Sequence, residues 1–544
     1  MLEHSAGNPN PAFNPSIIEQ NNEQDGPATP LSGRGARWWL IGLGSVYAGL
    51  VVSHWSKGYI DFGDGNYLYI SWRLGEGAML YRDILAPQPP LHLMTGALIA
   101  KLAGAVGAPM VYAFRLFGVL IHLATMLAVY FATVRVAATG AAEKRSRCRG
   151  AGVAAAAVYM FLPLGFWWSL GYQSEPLEMF FFMLSFAALL RWNAKSVALA
   201  GALAALTPLT NMTAAPYVLF TIGFLAVRKP RLALPYAIPC VLIILAVTAT
   251  MEWRTGAYLE NVILNQVGSF PRKEFLPPGE NLLTYAYGKI VREGSDVLRL
   301  EGGFVLLALL GILRFARRGP ACSREFASWY GFFALCSILY VSKGGTMDYI
   351  FTIGEPFVAV FCGYLLFHFH RKHTAGLFHG FTWRDSAPLA GLAAGMALAV
   401  AFLAPGVAHS WATLKQRTYE LDAHTTMQVV DQIRRNTPPD GLILAPPYYA
   451  FLAQRRIAED YSELFLWTLK YLNELQDGQR GRGVQTVERI ANLLREKKIA
   501  FIVLDLDQTG KIPEIRQAID ENYEPKRLQE LRTLNTRLMF YAPK

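Results

Sequence analysis

Two aspartates stand close together early in the chain, in the run Asp61-Phe-Gly-Asp64-Gly-Asn-Tyr. Aromatics follow (Tyr67, Tyr69, Trp72), then Gly77, then Tyr81-Arg82-Asp83, then Gln88-Pro89-Pro90-Leu91. A carboxylate a few residues beyond an apolar run suits a general base that takes a proton from an acceptor hydroxyl. Asp61 and Asp64 can also hold a divalent cation between them. The competing reading is structural, because Asp-Gly after a helix makes a solvated turn. Spacing alone leaves both open. Glu175 and Glu178 open a later apolar run. Acids at membrane depth are functional candidates, and the alternative for these two is an exposed turn at the interface.

The elements that must position these residues are membrane helices. The chain has 544 residues, 53% hydrophobic and 17% charged, against about 25% charged in soluble proteins. Long uncharged runs recur from Trp38 to Ala408, each near the ~20 residues that cross a bilayer core. The stretch from Thr413 to Lys544 is polar instead. The five cysteines form no CxxC pair, and none lies in this polar tail. The tail is therefore not built on disulfides, and the usual zinc spacing is missing. The first 36 residues are rich in Asn, Pro, Gly and Gln and read as disordered, with no apolar core of a signal peptide.

Charge sets the expected topology. Five short loops carry seventeen Lys and Arg against three acids (Glu143, Glu325 and Asp385). These are Arg135–Arg149, Arg191–Lys195, Arg228–Arg231, Arg314–Glu325 and Arg371–Asp385. Cytoplasmic loops show this excess, so the net charge of +11 belongs to topology and not to nucleic-acid binding. The run Pro90–Val106 is short and contains Lys101. If it spanned, the basic loop at 135–149 would face outward, so it reads as a helix in the outer interface. The expected spans are 38–55, 109–134, 151–169, 175–191, 196–210, 213–227, 232–251, 303–316, 326–342, 350–367 and 387–407. An odd count puts the N-terminus in the cytoplasm and the tail outside. The expected fold class is an α-helical polytopic membrane protein of about eleven spans with a C-terminal α/β domain. Its parts are a tail at 1–36, a membrane domain at 37–408 and an extracytoplasmic domain at 409–544. In the last part, Gly441–Ala445, Ala500–Leu504 and Arg537–Tyr541 read as strands, and Thr486–Lys497 as an amphipathic helix.

The first outer loop resembles that of the polytopic glycosyltransferases of GT-C architecture, which use lipid-phosphate sugars and include the protein O-mannosyltransferases and the lipid A aminoarabinose transferase. The family pattern is an acidic motif after the first span, a helix ending in Gly, an aromatic-x-Asp and a Pro-Pro-Leu opening an interfacial helix. Here these are Asp64, Gly77, Tyr81 with Asp83, and Pro89-Pro90-Leu91, with Arg115 in Phe114-Arg115-Leu116 entering the second span. Asp440–Arg456 also resembles bacterial members. One departure is that Asp64 is followed by Gly65, where many members carry Asp-Glu. The base then lies between Asp61 and Asp64, with Asp64 favoured by its distance to Gly77.

The resemblance implies a polyprenyl-phosphate sugar donor in the outer leaflet of a bacterial-type inner membrane, inverting transfer, and a lipid, glycan or protein acceptor. It implies no certain cofactor beyond a divalent cation at Asp61 and Asp64. Departing phosphate needs cations or donors at the interface. Candidates are Arg82, Arg115, Arg272, Lys273 and Lys343, each of which can also simply snorkel, with Tyr349 beside Lys343, Asp83 for metal or acceptor, and Glu175. The loop Glu252–Arg299 holds Asn261, Gln266, Tyr285 and a Pro277-Pro278-Gly279 turn that suits a lid.

Two motifs are set aside. Asp505-Leu-Asp507 reads as a strand-end turn, and His368, His370 and His373 as a solvated anchor in a basic loop. A transporter would place its ionisable groups near the midplane and show internal repeats, which this sequence does not. A non-catalytic envelope-assembly protein is the other alternative, opposed by the retention of Asp64.

Overall fold

The computed structural model describes residues 32–59, 63–138, 148–264, 281–318, 321–341, 352–377, 421–460, 462, 487–506, 510, 512–531 and 536–544. Most of them are helical. Helix α1 spans Gly33–Val52 and starts where Ser32 accepts a hydrogen bond from Gly35 N at 2.9 Å, an N-cap that sequence periodicity does not mark. Strand β1 (Gly58–Tyr59) follows, then a π turn at Gly63–Tyr67 that runs straight into α2 (Leu68–Gly75). Helix α3 covers Pro90–Ala105 with Pro90 in its first turn, where the missing N–H costs nothing. Next come α4 (Met110–Ala137) and α5 (Arg149–Met160).

The single span expected at 151–169 is broken. Helix α5 stops at Met160, and α6 (Pro163–Trp168) starts afresh. Pro163 cannot donate to the preceding turn and its ring collides with it. The chain continues through α7 (Ser174–Leu189), α8 (Ala194–Thr210), α9 (Ala215–Arg228) and α10 (Pro230–Thr255). Gly256 closes α10 in the left-handed conformation at φ 65°. Helix α11 runs over Leu282–Arg318, 37 residues without interruption. The part of the expected outer loop from residue 282 onward is therefore helical. Helices α12 (Ala321–Val341) and α13 (Glu355–Leu377) follow. The expected span 387–407 lies outside the described residues.

Among the described residues, three helices are long and apolar enough to cross a membrane: Gly33–Val52, Met110–Ala137 and Pro230–Thr255. Their outward positions are apolar, as at Ile41, Leu120 and Leu242, which lipid accepts and water does not.

The C-terminal part adds β2 (Leu421–Asp422), α14 (Ala423–Asn436), β3 (Leu442–Leu444), α15 (Pro447–Ala453), α16 (Val487–Arg495), β4 (Ile499–Asp505), α17 (Pro513–Asn522), β5 (Tyr523–Leu531) and β6 (Thr536–Pro543). The four-stranded sheet has the order β3-β4-β6-β5. Strands β3 and β4 are parallel, and β6 is antiparallel to both β4 and β5. Val487, Ile490, Ala491 and Leu494 give α16 one buried face. Strand β2 pairs instead with β1, Gly58 opposite Asp422 and Tyr59 opposite Leu421.

Two apolar cores result. One lies among the apolar helices, around Tyr159, Phe182, Phe186, Phe357 and Phe361. The other is shared by the first loop and the C-terminal part. Tyr67, Tyr69, Trp72 and Ile84 pack in it with Tyr449, Phe451, Ile457 and Ile502. In the first core α8 packs against α7 and α10. Gly201 sits where α8 meets α10, and a β-carbon there would overlap the Tyr236 carbonyl. Gly201→Val should therefore destabilise the protein by about 1–3 kcal/mol, read as a lower thermal midpoint of the detergent-solubilised chain. An unchanged midpoint would show that the two helices can part at no cost.

Candidate active site

Asp64 lies in the π turn Gly63–Tyr67 and is 1% exposed. Arg115 projects from the second turn of α4 and is equally buried. Its Nη2 donates to Asp64 Oδ2 at 2.6 Å and to the Gly58 carbonyl at 2.7 Å, and its Nη1 donates to the Trp55 carbonyl. The guanidinium also lies over the Tyr59 ring, 5.1 Å from its centroid. Two side chains with no exposed surface form this ion pair, so water screens it little. Burying either partner alone would leave an uncompensated charge. Burial pushes the Tyr59 phenol up, and the nearby Arg115 only partly offsets it.

The turn and α2 form one continuous piece, residues 63–75. One face of α2 carries Tyr69 and Arg73, four residues apart, and both reach Asp460. Tyr69 Oη donates to Asp460 Oδ1 at 2.6 Å and accepts from Ile457 N at 2.9 Å. Arg73 donates to Asp460 through Nε at 2.7 Å and Nη2 at 3.1 Å. Burial and the Asp460 carboxylate hold the Tyr69 phenol well above its ordinary value. Burial works against the Arg73 cation, but the bonds to Asp460 outweigh it and raise its value. The opposite face of α2 meets α3, with Ser71 lying against Gly96. Glu76 caps α2 and Gly77 leaves it at φ 104°, which a side chain would resist.

Tyr81 takes φ 67° and donates from its hydroxyl to the Gln88 carbonyl at 2.7 Å. Asp83 Oδ2 accepts from Met79 N at 2.8 Å, and its Oδ1 accepts from Arg82 Nε at 3.1 Å. Asp83 thus holds the turn, while Arg82 is exposed beside it. Glu175 and Glu178 begin α7 and are both buried, so neither is on an exposed turn. Asn211 Nδ2 donates to Ser174 Oγ at 3.2 Å and to Glu175 Oε1 at 3.4 Å. Asn261 is buried and bonded to the Ala257 carbonyl at 2.8 Å. Asp61, Arg272, Lys273, Lys343 and Tyr349 lie outside the described residues, as do Gln266, the turn at 277–279, Asp507, and the side chains of Tyr285, His368, His370 and His373. Asp505 ends β4, opposite Leu538.

No group of three or more His, Cys, Asp or Glu side chains converges as a metal site among the described residues. At Asp64 the neighbouring charge is the Arg115 guanidinium, which does not fit a bound cation.

The sequence reading missed several buried polar groups. Asp460 and its partner Arg73 carry no local signal, because they are 387 residues apart. Glu301 accepts from Leu164 N at 2.9 Å, and Glu355 lies against Gly165. Both glutamates therefore flank the start of α6, where a helix N-terminus favours negative charge. His92 lies in α3 between two rings, stacked on Tyr172 at 4.2 Å and edge-on to Tyr67 at 4.8 Å. Among the described residues neither of its ring nitrogens has a hydrogen-bond partner, and burial pushes it down to about 3.

No protein-family model matches the sequence, and no curated protein matches it. The structure does resemble solved ones. It is similar to ArnT from Cupriavidus metallidurans bound to undecaprenyl phosphate, with a TM-score of 0.61 and 12% identity, over 94% of this chain and 98% of that one. The apo state of the same protein gives 0.59 at 12% identity, over 93% and 98%. The Archaeoglobus fulgidus oligosaccharyltransferase in its apo form gives 0.53 at 13% identity, over 90% of this chain and 73% of that one. The chain shares the fold of these proteins, and its described residues are mostly helical, with a small sheet region and three helices long and apolar enough to cross a membrane.

The buried imidazole makes a pH prediction. Its folded-state value of about 3 lies below the ~6.5 of a free imidazole. The stability linked to His92 is complete above that unfolded value and is lost as pH falls from there toward the folded one. The slope should be at most about 1.4 kcal/mol per pH unit. Thermal midpoints taken from pH 7 to pH 5 should fall more steeply for the wild type than for His92→Phe. Parallel curves would place a proton-accepting partner on the ring.

Proposed function

We propose that this protein transfers a sugar from a polyprenyl-phosphate donor to an acceptor hydroxyl, with Asp64 as the general base. The observation that carries this reading is the buried Asp64–Arg115 pair in the first loop of a chain with this fold. Undecaprenyl phosphate, bound to the structural neighbour, is what such a reaction would leave behind.

In the proposed step the acceptor oxygen attacks the anomeric carbon opposite the phosphate. The new carbon–oxygen bond forms as the bond to the phosphate oxygen breaks, and the configuration inverts. The acceptor proton passes to the Asp64 carboxylate, and the electron pair leaves with polyprenyl phosphate. Phosphate is a good leaving group, so the protein's task is to activate the acceptor and stabilise charge. Arg115 fixes the orientation of the base by holding Oδ2. Arg82 and Lys343 are proposed for the phosphate, Tyr349 for the donor, and Asp83 and Glu175 for the acceptor side. Asp61 is the second carboxylate of the motif.

The proposed topology follows the basic loops. It places the N-terminus in the cytoplasm, about eleven spans in the membrane, and residues 409–544 as an outer domain. The pairing of β1 with β2 supports putting the first loop and that domain on one side.

Purified protein with a panel of polyprenyl-phosphate sugars tests the reading through release of free polyprenyl phosphate. Release should require an acceptor and fall about 10²–10⁴-fold in Asp64→Asn. Release unaffected by Asp64→Asn would remove the base. No release from any donor would favour a transporter or an assembly protein.

A further inference from the structure

We propose that Asp460, in the C-terminal part of the chain, is a positioning residue for the Asp64 base. The inference rests on the reading of Asp64 as that base and adds to it a second fixed point.

Residues 63–75 are one continuous helical piece, with Asp64 in the opening π turn and Arg73 in the last turn. A helix held only at one end can rotate about its axis and swing about the held point. Arg115 holds the first end through Asp64. Tyr69 and Arg73 lie on one face of the other end, and both bond to the same carboxylate, at 2.6 and 2.7 Å for their shortest contacts. Asp460 therefore adds, beside the packing on α3, a polar fixed point against rotation and tilt of the piece that carries Asp64. Packing follows the same direction, since Trp72 meets Phe451 edge-on at 6.3 Å.

The carboxylate is itself held in place. Glu459 and Asp460 are consecutive residues in the left-handed region, at φ 56° and 47°. Non-glycine residues take that conformation at a cost, and only where surrounding contacts enforce it. Arg489 pairs with Glu459 at 3.1 Å and Arg456 with Asp460 at 3.6 Å. Ile457 donates to Tyr69 and bridges to Ile443 of β3. The strained turn thus connects the sheet directly to the helix of the base. Asp460 is 5% exposed, so its charge is spent on Tyr69 and the arginines and not on solvent.

The test uses the full chain in detergent, as wild type, Asp460→Asn and Asp460→Glu, taking only the monodisperse fraction. Amide hydrogen exchange reports on residues 63–75 whether or not a donor is known, and phosphate release reports turnover. In Asp460→Asn, exchange over 63–75 should quicken about tenfold or more while α4 stays protected. Its kcat should fall by about 100-fold, the scale of a displaced catalytic group, with the donor KM within about threefold. Asp460→Glu should recover a large part of both. Wild-type exchange over 63–75 in Asp460→Asn would overturn the proposal. So would quickened exchange with a wild-type kcat. A wild type inactive on every donor would sink the base assignment of Asp64, and the exchange data would then decide alone whether Asp460 holds the helix.

Discussion

A guanidinium cut off from water must find its acceptors inside the protein. Arg115 finds them in the Asp64 carboxylate and in the carbonyls of Trp55 and Gly58. That requirement fixes the path of the chain after α1. The backbone at 55–58 has to present two oxygens toward α4, and the turn at 63–67 has to return a carboxylate to the same point. Between them Gly58 and Tyr59 are left to pair with Leu421 and Asp422. One desolvated cation thus joins the first helix, the first loop, the second long helix and the start of the C-terminal part.

The second core extends this arrangement. It combines aromatic and aliphatic side chains of the first loop with aromatic and aliphatic ones of the sheet and its helices. The aromatic residues that follow Asp64 in sequence therefore act as packing for a part of the chain more than three hundred residues away. One hydroxyl and the one arginine among them find a partner there too, Tyr69 and Arg73 both bonding to Asp460. The polar groups set orientation and the apolar ones supply the burial.

Much of this was legible in the sequence because it is local. Apolar runs marked the helices at 110–137 and 230–255 to within a few residues. Gly77 was expected at a helix end and leaves one at positive φ. The strand-like runs at 441–445 and 500–504 pair as β3 and β4. Other features were not legible, for physical reasons. The break before Pro163 is hidden in an unbroken apolar stretch, since hydropathy does not register a missing N–H. Strand β5 reads Tyr-Glu-Pro-Lys-Arg-Leu-Gln-Glu-Leu, a polar edge with little alternation. The N-terminal half of α11 is too polar to look like part of a span. The Asp460 pairing depends on tertiary contact alone, and one chain without its fold gives no sign of which acid meets Arg73.

The π turn at Gly63–Tyr67 constrains how such a site can change over time. It differs from an ordinary helical turn by one extra residue per closed ring. Each residue advances a helix by about 100°. Point substitutions in 63–75 alter side chains but leave the angle between Asp64 and the Tyr69–Arg73 face as it is. Only an insertion or deletion resets that angle, and a single-residue deletion in the turn would swing the carboxylate by more than a quarter of a revolution away from Arg115. The spacing of this segment is therefore under tighter restraint than the identity of most of its residues, and length, more than composition, is where its descendants would diverge or fail.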